Sequence, residues 1–161
     1  MSYTAKVHKS GSDTLVLESG AILDVKSGAV VKVNAIPVPA AVTFSFASAA
    51  STVSECTISV KDGAGVAVTT PQIITFHLSD AATGLAVTGT AADTLAAKAA
   101  SGSILSVAVA GKADTIQTLA NGTYVAEITS AAKTLYYIAA YLPSTGLTYV
   151  SRVMVAGDYG A

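Results

Sequence analysis

The sequence predicts an all-β protein, in which a short stem of repeated strands is followed by an antiparallel β-sandwich. The chain of 161 residues is 52% hydrophobic but only 12% charged, and much of the apolar share is Ala and Val. An eight-residue strand pattern recurs near the start, and alternating apolar and polar stretches bounded by turn residues fill the remainder. We therefore expect one small domain that carries an N-terminal appendage.

The N-terminal repeat reads TLVLESGAILDVKSGAVVKVN over residues 14–34. If its copies stack in parallel register, equivalent apolar side chains form two rows on one face, while Asp24 and Lys32 fall on the other. The first row contains Leu15, Leu23 and Val31, and the second contains Leu17, Val25 and Val33.

Parallel neighbours cannot be joined by a two-residue turn, so the chain must wind around an axis between copies. A β-solenoid and a three-chain β-prism both allow this, but three short rungs in one chain barely bury a solenoid core. The repeat therefore predicts a trimerising stem whose interface is formed by the two apolar rows. An antiparallel meander packed on the main domain is the alternative.

The pattern divides the chain into four parts. The segment AIPVPA contains alternating prolines, which force an extended conformation poor in hydrogen bonds and indicate a linker. We predict a flexible N-terminal tail at 1–12, the stem at 13–34, the linker at 35–40 and the sandwich at 41–161.

The sandwich prediction depends on about seven alternating stretches at sandwich-like spacing. Residues 91–100 have a helix-like composition, but the stretch is too short to be stable alone, so we expect a loop with at most one helical turn. The predicted strands are 42–46, 56–60, 73–78, 104–109, 123–128, 135–141 and 149–155.

Charge and cysteine content exclude several classes of function. A net charge of −1 without a basic cluster argues against binding to nucleic acid or to an anionic membrane. Cys56 is the only cysteine, so no intrachain disulfide is possible, and we expect it to be buried. The start lacks a secretory signal and no apolar run approaches the ~20 residues of a membrane helix, so we expect a soluble protein of the cytoplasm or of an assembly made there.

The sequence offers no convincing catalytic set. His77 lies towards the end of a predicted strand, where a partly buried or edge histidine is the simpler interpretation. The aspartates stand near turn residues, where they cap their own backbone, and no metal-ligand spacing occurs. We therefore expect no enzyme activity, no metal and no cofactor.

The tyrosines concentrate in the C-terminal third of the chain. Tyr136 and Tyr137 are adjacent, so in a strand one of them must face outward. An outward tyrosine can anchor an interface or stack on a sugar. A carbohydrate-binding module that presents Tyr136 or Tyr149 is therefore a second hypothesis.

Two sets of motifs resemble those of a known class of proteins. The repeat LVLESGAILDVKSGAVVKV resembles the Ser-Gly-punctuated repeats at the N-termini of tailed-phage head-fibre and capsid-decoration proteins. The segment ISVKDGAGVAVTTPQIITFHLSDAATGLAV, with the later LANGTYVAEI and TLYYIAAYLPSTG, is similar to an Ig-like β-sandwich domain of phage structural proteins. Together these motifs span about residues 13–155, and, unlike in longer head fibres, we expect no coiled coil or receptor-binding tail after the sandwich.

The resemblance implies a virion surface protein, assembled in the host cytoplasm, that binds the major capsid protein as a homotrimer and stabilises the head. Either the stem with its tail or the sandwich would then contact the shell. Tail residues that can reach the capsid as a peptide ordered on binding are Tyr3, Lys6, Val7 and Lys9.

Overall fold

The structure is a computed structural model, and it describes residues 7–10, 14–17, 31–33, 36–38 and 41–160. The chain divides into two compact units, residues 1–30 and residues 31–161. Among the described residues no helix is long and apolar enough to cross a membrane.

Short antiparallel ladders precede the sandwich. In the first unit, β1 (Val7–Ser10) pairs with β2 (Thr14–Leu17). In the second unit, β3 (Val31–Val33) pairs with β4 (Ile36–Val38), so part of the predicted linker is a strand. Pro37 has no N–H to donate, and it is tolerated there because on an edge strand that side of the backbone can face away from the partner strand.

The predicted stem is described only in part. Residues 18–30, which carry Leu23 and Val25, lie outside the described residues, as do Tyr3 and Lys6 of the tail. The parallel register of the repeat, the trimer interface and the boundaries of tail, stem and linker therefore stay predictions.

Residues 41–160 form two antiparallel sheets and one 3-10 turn, Ala156–Asp158. The smaller sheet has the order β5-β6-β11-β8 and the larger sheet the order β13-β12-β7-β10-β9. The strands are β5 (Ala41–Ser48), β6 (Val53–Lys61), β7 (Ile73–Ser79), β8 (Thr94–Ala97), β9 (Ser103–Val109), β10 (Ala113–Gln117), β11 (Thr123–Thr129), β12 (Tyr137–Leu142) and β13 (Leu147–Val150).

One face of each sheet packs into a shared core. Alternate residues of the central strands are buried, because successive side chains of a strand point to opposite faces. The ring of Phe76 on β7 lies 6.0 Å from the ring of Tyr124 on β11, so side chains of the two sheets meet directly. The predicted all-β class and the antiparallel two-sheet architecture are confirmed.

Each of the seven predicted strands overlaps a strand in the structure, and two further strands of the described sandwich were missed. The prediction of a loop or helical turn at 91–100 was wrong, because Thr94–Ala97 forms β8 and pairs with β11. Pairing at a sheet edge here overrides the helix-like composition. The other missed strand is β10, whose five residues ADTIQ include a buried aspartate.

The last predicted strand begins two residues earlier and ends sooner than expected. We predicted residues 149–155, whereas β13 stops at Val150. The hydroxyl of Ser151 accepts the N–H of Ile138 at 2.8 Å, so a side chain replaces a backbone carbonyl and the regular ladder ends. The following segment leads to the 3-10 turn.

A cation ties this C-terminal segment to the smaller sheet. The Arg152 guanidinium donates two hydrogen bonds to the Asp158 carboxylate, at 2.7 and 2.6 Å, and lies 4.7 Å above the ring of Phe46 on β5. The same hydrogen bonds hold the pKa of Asp158 below its ordinary value. The hydroxyl of Tyr159 donates to the carbonyl of Thr134 at 2.6 Å, which fixes the end of the described chain.

Asp114 places a carboxyl group in the core. Asp114 is 1% exposed, and its Oδ2 atom has no hydrogen-bond partner among the described residues. Burial raises the pKa of Asp114 above the ordinary 3.8, because the charged form is poorly solvated there.

We predict that Asp114→Asn becomes increasingly favourable relative to the wild type as pH rises. A raised folded-state pKa gives the wild type a stability contribution that is fully present below about 3.8 and is lost as pH rises through the folded-state value. The free energy of unfolding of both proteins, measured by urea denaturation from pH 3 to pH 8, should show this widening difference. A constant difference across that range would contradict the assignment.

Candidate interaction face

The strands of the larger sheet carry no Asp, Glu, Lys or Arg side chain on their outward side. Its strands read IITFHLS, SILSVAV, ADTIQ, YIAAYL and LTYV, and their one charged residue, Asp114, is buried. The smaller sheet differs, because Glu55, Lys61 and Glu127 lie on its outward side and Lys98 donates to Glu55 at 2.7 Å. Sheets that face water usually carry charges, which improve solubility and discourage association. We call the outward side of the larger sheet the uncharged face.

A row of hydroxyl groups crosses the uncharged face from one edge to the other. Each strand contributes one member, and neighbours in the row are directly opposite in the sheet register. The Oγ1 atoms of Thr75 and Thr115 lie 3.2 Å apart, within hydrogen-bond distance. The hydroxyl row consists of Thr148, Tyr141, Thr75, Thr115 and Ser106.

A loop covers the next row of the same face. His77 forms a hydrogen bond from Nε2 to the carbonyl oxygen of Gly84, at 3.0 Å. Gly84 has a φ of 63°, and a Cβ built there would meet Val150 at 2.6 Å and Ala139 at 2.8 Å. The backbone therefore lies directly on the sheet, and the row of His77, Ala139 and Val150 is closed to a partner.

Polar contacts hold this loop, residues 80–90, in place. The Asp80 carboxylate accepts hydrogen bonds from the Thr88 hydroxyl and from the Gly89 N–H, the latter at 2.8 Å, and these bonds lower the pKa of Asp80. The Lys112 ammonium donates to the carbonyl oxygen of Gly89 at 2.7 Å. The loop thus presents Leu85, which is 86% exposed, beside the uncharged face.

The structure changes which tyrosine is available for binding. Tyr136 is fully buried, so the hypothesis that it is presented to a ligand was wrong. Tyr149 is half-buried, whereas Tyr141 is 42% exposed and lies between Thr148 and Thr75 in the hydroxyl row. Alternation with the buried Leu142 would have placed Tyr141 outward, but sequence reasoning did not use it.

The other predicted site residues that the structure describes lie on strands outside the larger sheet. Cys56 is buried in β6 as expected, and burial raises the pKa of its thiol. Within the described part of the chain, no group of three or more His, Cys, Asp or Glu could hold a metal ion. The predicted trimer-interface and capsid-binding residues that the structure describes lie on the short N-terminal strands. They are Val7, Lys9, Leu15, Leu17, Val31 and Val33.

Comparisons with models of known protein families and with curated proteins gave no match. The uncharged face, with its hydroxyl row and neighbouring loop, is therefore the feature from which a function can be inferred.

We predict that Gly84→Ala destabilises the protein more than Gly146→Ala. Both glycines have a positive φ, at 63° and 70°, so both alanines incur about 1–2 kcal/mol of backbone strain. Only at Gly84 does the new methyl group meet other atoms, which adds about 1–3 kcal/mol of overpacking.

Urea denaturation of the two variants measures this difference in the free energy of unfolding. Nothing lies within 4 Å of a Cβ at Gly146, so this variant controls for backbone strain alone. Equal losses of stability would show that the loop does not rest on the sheet.

Proposed function

We propose that this chain is a structural, non-enzymatic protein of a phage virion. In this proposal it is a capsid-decoration (cementing) or head-fibre protein that binds the major capsid protein on the outer surface of the head as a homotrimer and stabilises the shell. The resemblance of the N-terminal repeat and of the sandwich motifs to such proteins supports this function. The observation that carries it is the uncharged face.

The strand order supports the finer assignment of an Ig-like sandwich. In an Ig constant-type domain, one sheet has the order A-B-E-D and the other the order G-F-C. The smaller sheet, β5-β6-β11-β8, and the run β13-β12-β7 of the larger sheet follow the same two spatial orders. Strands β9 and β10 then form an additional hairpin beside β7.

The composition of the uncharged face is typical of the centre of a protein interface. Interface centres are depleted of charged residues and enriched in aromatic ones, which anchor the contact. Tyr141 supplies a partly exposed ring within the hydroxyl row, and Leu85 supplies an exposed aliphatic side chain beside it. A partner that covers this face would not have to desolvate a charge on it.

The size of the face favours a multivalent protein. Five strands at a spacing of ~4.8 Å and about six residues at ~3.4 Å each give an area of roughly 500 Å². A stable interface buries about 800 Å² on each partner, so one copy would bind weakly. Three copies joined by a stem gain avidity, which is the role we propose for the predicted trimer interface.

We predict that Thr115→Lys weakens binding to phage heads, whereas Thr57→Lys does not. Both residues are half-buried on outward faces, one on β10 of the uncharged face and the other on β6 of the charged sheet. A lysine within the covered face would be left desolvated and unpaired, so we expect an affinity loss of at least about tenfold.

The measurement is cosedimentation of each variant with purified heads from a strain that lacks the protein. Unfolding curves of both variants should first establish that they remain folded. Equal binding of the two variants, or a loss confined to Thr57→Lys, would contradict the use of the uncharged face.

A second candidate function is binding to a carbohydrate on the bacterial surface. The specific observation in its favour is the hydroxyl row, because a tyrosine ring flanked by hydroxyl groups is suited to stack on a sugar and to exchange hydrogen bonds with it. Binding of the wild type to whole cells, lost in Thr115→Lys while head binding is retained, would favour this function over decoration.

A further inference from the structure

One edge of the described sandwich lacks the usual protection against pairing. Exposed sheet edges are normally blunted by short strands, bulges, prolines or charges. Among the edge strands, β8 and β13 have four residues each, and the pairing of β9 with β10 is interrupted twice. The eight residues of β5, AVTFSFAS, contain neither charge nor proline and pair with β6 without a register shift.

The hydrogen bonds of β6 show which groups of β5 face this edge. Val60 donates its N–H to Gly122 at 2.9 Å and accepts the N–H of Val68 at 3.2 Å, so both of its backbone groups point away from β5. Val42 lies opposite Val60 and therefore forms a non-hydrogen-bonded pair with it. By alternation, Val42, Phe44 and Phe46 direct their N–H and C=O groups to the open edge, where they meet no partner among the described residues.

The side chains of the same residues border a groove of about 560 Å³ between β5 and the chain that follows β13. Phe44 and Phe46 are half-buried there. The one charged residue of the groove, Arg152, is already paired with Asp158. The groove is lined by Val42, Thr43, Phe44, Ser45, Phe46, Val150, Ser151 and Arg152.

We propose that β5 pairs with β5 of a second copy of this chain, antiparallel and about a twofold axis at Phe44. Only the N–H and C=O groups that face the open edge can form hydrogen bonds between the two β5 strands. A twofold axis at Phe44 therefore places Phe44 opposite the partner's Phe44 and Val42 opposite the partner's Phe46. Every groove-facing residue in these pairs then meets an apolar one. The register centred on Ser45 would instead place Val42 opposite the partner's Ser48.

Charge also favours a second copy as the occupant. In an isologous contact, β5 of one copy lies opposite β5 of the other, so any charge on this strand would approach a like charge on the partner. The strand β5 has none, and on its outward side the pairing sets Thr43 against the partner's Ser45. The two smaller sheets join into one of eight strands, while the uncharged face of each copy stays open. This inference does not depend on the proposed function.

Disulfide cross-linking tests both the contact and its register. In a mixture of Thr43→Cys and Ser45→Cys proteins, we expect oxidation to join one to the other, because cross-strand neighbours in a non-hydrogen-bonded pair have Cβ atoms about 4.5–5.5 Å apart. Neither variant alone should cross-link comparably. Absence of the mixed product, or an equal yield in a mixture of Thr43→Cys with Ala47→Cys, would overturn the proposal.

Adding positive charges to the uncharged strand β5 provides an independent test. The double variant T43K/S45K sets lysines against lysines across the twofold axis, and both positions are exposed, so the fold should survive. We expect light scattering to show half the wild-type mass, whatever the stem contributes, and the control T57K/S59K on β6 to retain the full mass. An unchanged mass in a folded T43K/S45K protein would overturn the proposal.

Discussion

The two-residue period of an antiparallel strand commits every side chain in this protein to the core or to the outside. On β7, burial of Ile74 and Phe76 forces Thr75 and His77 outward. The same alternation on the neighbouring strands aligns the hydroxyl row, because opposite residues in a register share a face. Core packing and the chemistry of the uncharged face are therefore two consequences of one pattern.

The loop over the larger sheet decides how much of that face a partner can reach. Gly84 of this loop contacts the sheet directly, and hydrogen bonds from His77 and to the Asp80 carboxylate hold the loop in place. The loop thus covers the row of His77, Ala139 and Val150, so a partner cannot reach it, while Leu85 lies exposed beside the rows that stay open. His77, which the sequence favoured as a partly buried or edge histidine over a catalytic one, hydrogen-bonds the backbone of this loop.

Much of the sandwich could be predicted from the sequence, because strands such as β6 and β11 alternate strictly and end at turn residues. The short strand β8 could not, since its alanine-rich composition favours a helix and only pairing with β11 makes it a strand. The end of β13 depends on the hydroxyl of Ser151, a long-range contact that no local pattern reveals.

The candidate site was harder to predict than the fold. The sequence shows that Asp114 is the one Asp, Glu, Lys or Arg in five separate strands, but the meaning of this depends on knowing that those strands form one sheet. The adjacent Tyr136 and Tyr137 indicate in the sequence that one tyrosine faces outward, but nothing in the local pattern singles out Tyr141 as the exposed ring in the hydroxyl row. Coverage by the loop at Gly84 requires the tertiary structure, because the glycine alone indicates only a turn.

The most direct test of the account is hydroxyl-radical footprinting of the protein free and bound to phage heads. Tyr141 and Leu85 are exposed at the uncharged face, whereas the exposed Val66 lies in the turn after β6 of the smaller sheet. We predict that binding protects Tyr141 and Leu85 from oxidation and leaves the oxidation of Val66 unchanged. Oxidation of Tyr141 and Leu85 at the same rate in both states, with protection at Val66, would contradict it.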